Sequence, residues 1–115
     1  MKRNIKKVSK IVNELTMFLL EHQSTNIKVG VRNFDDKVVI TAVAEDIEKM
    51  DIAVTNLKKS LSYPRTREIE EYCWELTGES ETESGLAIVG SMVDEATIDY
   101  DETQLYVQLT RLIKK

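Results

Sequence analysis

Apolar residues near the start of the chain recur every three or four positions, the spacing of one face of an α-helix. The stripe consists of Ile5, Val8, Val12, Leu15 and Leu19. It predicts a long amphipathic helix over about residues 4–23, which needs a second layer to cover its apolar face. The period then changes to two, because Ile27, Val29 and Val31 alternate with other residues, and this is typical of a half-buried strand.

The remaining pattern completes a set of helices and strands. The predicted elements, in order, are a helix at 4–23, strands at 27–32 and 37–44, a helix at 46–60, a short helix from Pro64 to about Gly78, a helix from Gly85 to about Val93, and strands at 96–100 and 104–112. Their order favours an α+β two-layer sandwich with helices on one face of a four-stranded mixed sheet. With 115 residues, we expect one domain over 1–115.

Cysteine usage and apolar stretches predict a cytoplasmic location. Cys73 is the single cysteine and cannot form an internal disulfide, which fits a reducing compartment. The longest apolar stretch, residues 15–20, is too short to span a bilayer. Since the sequence also has no pattern typical of a secretory leader, we expect no membrane partner and no export.

Charge is unevenly distributed along the chain. Residues 1–60 carry 11 basic and 8 acidic side chains, a balance of +3, whereas residues 61–115 carry 5 and 12, a balance of −7. The lysines at the start have no interleaved aromatic residues, and the acidic half would repel phosphates, so we expect no nucleic-acid partner. The opposite balances instead favour docking between protein surfaces.

A stretch late in the chain carries a resemblance to a known family. Residues 84–95 read SGLAIVGSMVDE and precede a predicted terminal hairpin. This segment resembles the glycine-led helix that closes the ATP site in histidine-kinase-type (GHKL) ATPases, and its end is similar to the anti-sigma-factor serine kinases. The resemblance implies a histidine-kinase-like ATPase fold, with Ser84 and Gly85 at the phosphates of bound Mg-ATP. Helix starts bind phosphate through free backbone N–H groups.

The first helix departs from the metal-binding pattern of that family. The resemblance implies an E-x-x-x-N motif that supplies a catalytic base and a magnesium ligand, and Glu14 matches its first position. Phe18 stands where the asparagine is expected, and a phenyl ring offers no oxygen to magnesium. By itself Glu14 is typical of a solvated helix glutamate, and His22 of a helix-end histidine, because no further ligand set accompanies them.

The adenine loop of the family is also altered. The family has D-x-G-x-G after its second strand, whereas residues 45–49 here contain no glycine. Glu45 or Asp46 is the candidate for the adenine hydrogen bond, or else both only place negative charge at the start of the next helix. Acidic residues at 79, 81 and 83 precede Gly85 and would repel a triphosphate.

Two functional hypotheses follow from these departures. The first is a non-catalytic regulatory or protein-binding domain on an ATPase-like scaffold that binds no cofactor, with Glu14, Glu45, Asp46, Ser84 and Gly85 as remnants of a nucleotide site. It implies a protein partner, and a homodimer is the expected assembly. The alternative is a divergent serine protein kinase that still binds Mg-ATP. A third reading drops the family link and keeps only an α/β domain.

Overall fold

The computed structural model describes residues 2–61 and 89–113, with side chains from Ile5 onward. The elements in chain order are α1 (Lys2–Glu21), β1 (Asn26–Asn33), β2 (Lys37–Glu45), α2 (Met50–Leu61), β3 (Glu95–Tyr100) and β4 (Gln104–Leu112). Residues 89–92 are also helical. All four predicted strands are confirmed to within one residue at each end. The helix predicted from Pro64 to Gly78, and the predicted helix start at Gly85, lie outside the described residues.

Helix α1 ends two residues earlier than its apolar stripe predicts. Gln23 adopts a left-handed backbone, with φ at 66°, and the Ser24 N–H donates to the Leu19 carbonyl at 3.2 Å. This hydrogen bond and this dihedral are those of a Schellman-type cap, which satisfies carbonyls that a helix end leaves open. The chain therefore turns directly from α1 into β1.

The sheet has the strand order β1-β2-β4-β3, and each neighbouring pair is antiparallel. The prediction of a mixed sheet is wrong for these strands. Two hairpins, β1–β2 and β3–β4, lie side by side, and β4 rather than β3 pairs with β2. Because β3 runs parallel to β2 but is separated from it by β4, no parallel neighbours arise.

Helix α2 begins at Met50, four residues after its predicted start at 46. Asp46 and Lys49 take left-handed dihedrals, with φ at 56° and 52°, so the chain cannot be helical across them. Ile47 is buried all the same, at 8% exposure. Its position fits the helical period, but Ile47 lies in the loop before α2 and packs into the core from there.

One face of the sheet carries the core. The inner-facing residues of β2 and β4 pack in a single apolar cluster with α1, α2 and residues 89–92; fully buried members include Ile11, Leu15, Leu19, Ile40, Leu57, Val89, Met92, Leu105, Val107 and Leu109. The described helices therefore form one layer, as predicted. Arg111, 4% exposed, donates from Nη1 to the Met92 carbonyl at 2.7 Å and so caps the end of the 89–92 helix. No helix in the described ranges is long and apolar enough to cross a membrane.

The turn between β3 and β4 is held by one carboxylate. Asp101 Oδ1 accepts the backbone N–H of Thr103 and that of Gln104, each at 2.8 Å. These two backbone hydrogen bonds favour the ionised form and lower the pKa of Asp101 below its ordinary value of 3.8. An aspartate side chain that accepts hydrogen bonds from the backbone therefore stabilises this hairpin turn.

Candidate functional site

Helix α1 carries the residues predicted for the metal side of a nucleotide site. Glu14 Oε2 forms an ion pair with Lys10 Nζ at 2.8 Å, one helix turn earlier, and only 11% of the Glu14 side chain is exposed. The interpretation of Glu14 as a solvated glutamate is therefore wrong: the carboxylate is largely covered and is paired with a cation. One oxygen of the carboxylate is therefore engaged by a cation of the same helix.

Phe18 and His22 form an aromatic pair at the end of the same helix. Their ring centroids are 4.6 Å apart with an interplanar angle of 53°, and Phe18 packs against the apolar core. A tilted pair at this distance is a favourable aromatic geometry. Phe18 thus acts as a packing residue at the position where the family pattern has an amide ligand.

The loop after β2 holds the adenine candidates, and both carboxylates have structural partners. The amide nitrogens of Asn26 and Gln104 each lie 3.5 Å from a Glu45 oxygen. Asp46 Oδ2 accepts the Thr25 hydroxyl at 2.7 Å, and the Asp46 N–H donates to the Thr103 carbonyl at 2.8 Å. These bonds join the β2 end to β1 and to the β3–β4 turn.

The sheet separates Glu45 from the helix layer. Along β2 the inner-facing residues are Val38, Ile40, Ala42 and Ala44. Because side chains alternate along a strand, Glu45 lies on the opposite, outer face, together with its partners Asn26 and Gln104 on neighbouring strands. Glu45 therefore cannot share a ligand with Glu14 on α1.

Only part of the predicted constellation is brought together. The Glu48 N–H donates to the His22 carbonyl at 3.0 Å, so the end of α1 adjoins the 45–49 loop. Glu14 lies two helix turns away, about 12 Å further along the α1 axis. Ser84 and Gly85 are outside the described residues. Among the residues that are described, no group of three or more His, Cys, Asp or Glu side chains could hold a metal ion.

An apolar groove lies between the first half of α1 and the edge of the sheet. Its volume is about 450 Å³, and its lining includes Ile5, Val8, Val12, Val31 and Val38. Ile5 is 64% exposed and Val31 49%, although both are large aliphatic side chains. The groove therefore leaves the apolar stripe of α1 incompletely covered where it meets β1.

The two outer strands of the sheet carry opposite charges, which the sequence reasoning missed. Lys28 and Arg32 lie on the outer face of β1, whereas Glu95 and Asp99 lie on the outer face of β3. Each pair is spaced by four residues, so both members point to the same side. That spacing is visible in the sequence, but it gains meaning only when both strands are known to be edges.

No family model, curated protein or solved structure matches the chain. The resemblance of residues 84–95 to the GHKL ATPases therefore stays a sequence-based proposal, and the geometry of the described residues is the remaining guide to function.

Proposed function

We propose that the protein is a non-catalytic, protein-binding domain on an ATPase-like scaffold that holds no nucleotide. The observation that carries the proposal is a pair of sheet edges that no other described strand covers and that carry opposite charge, Lys28 and Arg32 on β1 against Glu95 and Asp99 on β3. Exposed strand edges are templates for pairing with another chain, and complementary charge directs such pairing.

The contacts of the nucleotide candidates support the first half of the proposal. Glu14 is paired with Lys10, and Asp46 holds the Thr25 hydroxyl. Phe18 is part of the packed interior. Recruiting these groups to a metal or an adenine would first break contacts that stabilise the fold, and the 45–49 loop has no glycine to let a ligand approach the backbone.

Thermal denaturation with and without Mg-ATP or Mg-ADP tests the nucleotide half. A ligand at 100 times its dissociation constant adds about 2.7 kcal/mol to the stability of the folded state. We expect no change in melting temperature at millimolar nucleotide. We also expect that nucleotide does not change the melting temperature of the Phe18→Asn variant, since this substitution restores one metal ligand but leaves the adenine loop as it is.

A saturable shift in melting temperature at micromolar nucleotide would contradict the proposal and favour the alternative, an anti-sigma-type serine protein kinase.

Light scattering after size-exclusion chromatography tests the protein-binding half of the proposal in the absence of any other partner. We expect the mass of the purified chain to exceed that of a monomer between micromolar and millimolar concentrations.

A further inference from the structure

The open edge of β1 has a defined hydrogen-bonding pattern. The Phe34 N–H donates to the Lys37 carbonyl at 2.9 Å, one step beyond the pair Asn33 and Val38 in the β1–β2 register. Backbone groups of successive residues in an antiparallel ladder point alternately toward and away from the partner strand. The odd-numbered residues, Ile27, Val29 and Val31, therefore direct their N–H and carbonyl groups to the open side.

The open edge of β3 follows from the same reasoning. The Asp101 N–H donates to the Gln104 carbonyl at 3.0 Å, one step beyond the pair Tyr100 and Leu105. Residues of odd number thus bond to β4. The open side of β3 consequently presents the backbone groups of Ala96 and Ile98 and the carbonyl of Tyr100. The Tyr100 N–H donates to Asp99 Oδ1 at 2.9 Å within the single chain, so docking exchanges this hydrogen bond for one to the second copy.

Both edges sort their side chains in the same way. The residues with open backbone groups place their side chains on the helix side of the sheet, where Ile27, Val29 and Ile98 pack partly against the core. The alternate residues place charges on the outer side, basic on β1 and acidic on β3. An apolar row and a charged row therefore run along each edge.

We propose that the β3 edge of one copy of the chain docks antiparallel on the β1 edge of a second copy, with Val29 opposite Ile98. This inference deepens the proposed function and rests on it. In that register Lys28 faces Asp99 and Arg32 faces Glu95, so both charge pairs form at once. The open backbone groups also meet in that register, because Val29 and Ile98 then exchange both of their hydrogen bonds.

The apolar rows meet in the same arrangement. Val31, 49% exposed, faces Ala96 of the second copy, and Tyr100 of that copy, 45% exposed in the single chain, faces Ile27. Residues directly opposite in an antiparallel pair share a face of the sheet, so these contacts fall on the helix side. Docking therefore covers apolar surface next to the groove that Val31 and Ile5 line.

Pairing of identical edges is disfavoured by the same charges. Two β1 strands would bring Lys28 and Arg32 from both copies to one face, and two β3 strands would do the same with Glu95 and Asp99. Like charges opposite one another destabilise a strand pair. A heterologous contact leaves one β1 edge and one β3 edge open at the ends of any assembly, so growth continues beyond a dimer.

Charge reversal on the two edges tests this register by sedimentation or light scattering over a concentration series. For the native chain we expect a mass that rises with concentration without a plateau at the dimer, and that falls as salt is added. The variant K28E/R32E and the variant E95K/D99K should each raise the apparent dissociation constant at least about tenfold. Their equimolar mixture should associate again, and so should the chain that carries all four changes.

Two further variants separate the edge from general effects. K6E/K58E changes the net charge by the same amount as K28E/R32E, but at exposed helix positions, and it should associate like the native chain. Val31→Pro removes an open-edge N–H that has no role in the β1–β2 ladder, and it should abolish association while circular dichroism shows that the fold is kept.

Each outcome decides a different claim. Association that persists in both reversed variants overturns edge docking but leaves a protein-binding function through another surface. Failure of the mixture to associate overturns the register. A strictly monomeric mass up to millimolar concentration overturns docking by a second copy. Nucleotide binding, measured separately, bears on the proposed function alone.

Discussion

Gly90 provides a sharp test of how the helices pack. It lies in the 89–92 helix between the fully buried side chains of Val89 and Met92. A Cβ at this position would overlap the Ser60 carbonyl oxygen in α2 and lie 3.2 Å from the Leu61 Cα. These neighbours are backbone atoms, so no side-chain rotation can make room. Gly90→Ala must therefore push the two helices apart.

The size of the effect follows from two opposing terms. Overpacking destabilises by up to about 3 kcal/mol when the neighbours cannot move. Alanine returns about 1 kcal/mol relative to glycine in a helix interior. We expect Gly90→Ala to lose about 2 kcal/mol. Since unfolding entropy is about 2.1 cal/mol/K per residue, a chain of 115 residues should melt about 8 °C lower.

Gly30→Ala is the matched control. A Cβ there would meet only the Thr41 Oγ1 at 3.2 Å, a side-chain atom that can shift, and neither glycine has a positive φ. Its melting temperature should be unchanged or raised by up to about 4 °C, because glycine in a strand is destabilising by about 0.5–1 kcal/mol. Thermal denaturation followed by circular dichroism measures both. Equal melting temperatures for the two alanine variants would refute the close approach of residue 90 to α2.

Three other stability predictions rest on single residues. Lys49→Gly should stabilise the fold by about 0.5–1 kcal/mol, because a left-handed backbone is strained for lysine and not for glycine. The control Lys58→Gly, inside α2, should destabilise it by about 1 kcal/mol. Urea denaturation measures both free energies of unfolding. The pKa of Asp101 should lie below 3.8 in a carboxyl NMR titration, and a midpoint at or above 3.8 would contradict this. The stability that Asp101 contributes is present above the unfolded-state pKa of 3.8. It should be lost as the pH falls through the lowered folded-state pKa. Arg111→Met should lose about 1.5–3 kcal/mol in the same denaturation experiment, since the Met92 carbonyl loses a charged donor.

Periodic apolar patterns predicted most of the fold, because burial imposes them directly. The stripe on α1 and the alternation on β1 each specify which side of an element is covered, and a slip of one residue in a strand would expose its apolar face. The start of α2 could not be predicted in this way. Ile47 fits the helical period, but Asp46 and Lys49 leave the helical region of backbone space. The hydrogen bonds of Asp46 run to Thr25 and Thr103, which are distant in the chain.

The sequence predicted a mixed sheet instead of an antiparallel one for a different reason. Helix and strand order along the chain is compatible with β3 or with β4 next to β2, and only the second arrangement makes all neighbours antiparallel. Local sequence carries no signal for this choice. The candidate nucleotide residues illustrate the same limit, since the face on which Glu45 lies depends on the pairing of three strands.

The twist of a β-sheet determines the shape of the assembly that docking through the charged edges would form. Neighbouring strands rotate by roughly 20–25°, so four strands turn one copy by about 80–100° relative to the next in a continuous sheet. Successive copies joined from β3 to β1 would then wind about an axis that crosses the strands, and a flat closed ring would require the twist to vanish. The register that pairs Lys28 with Asp99 therefore favours an open helical assembly over a closed one. Because each added copy contributes the same two charge pairs, salt should shorten such assemblies in a graded manner rather than abolish one discrete species.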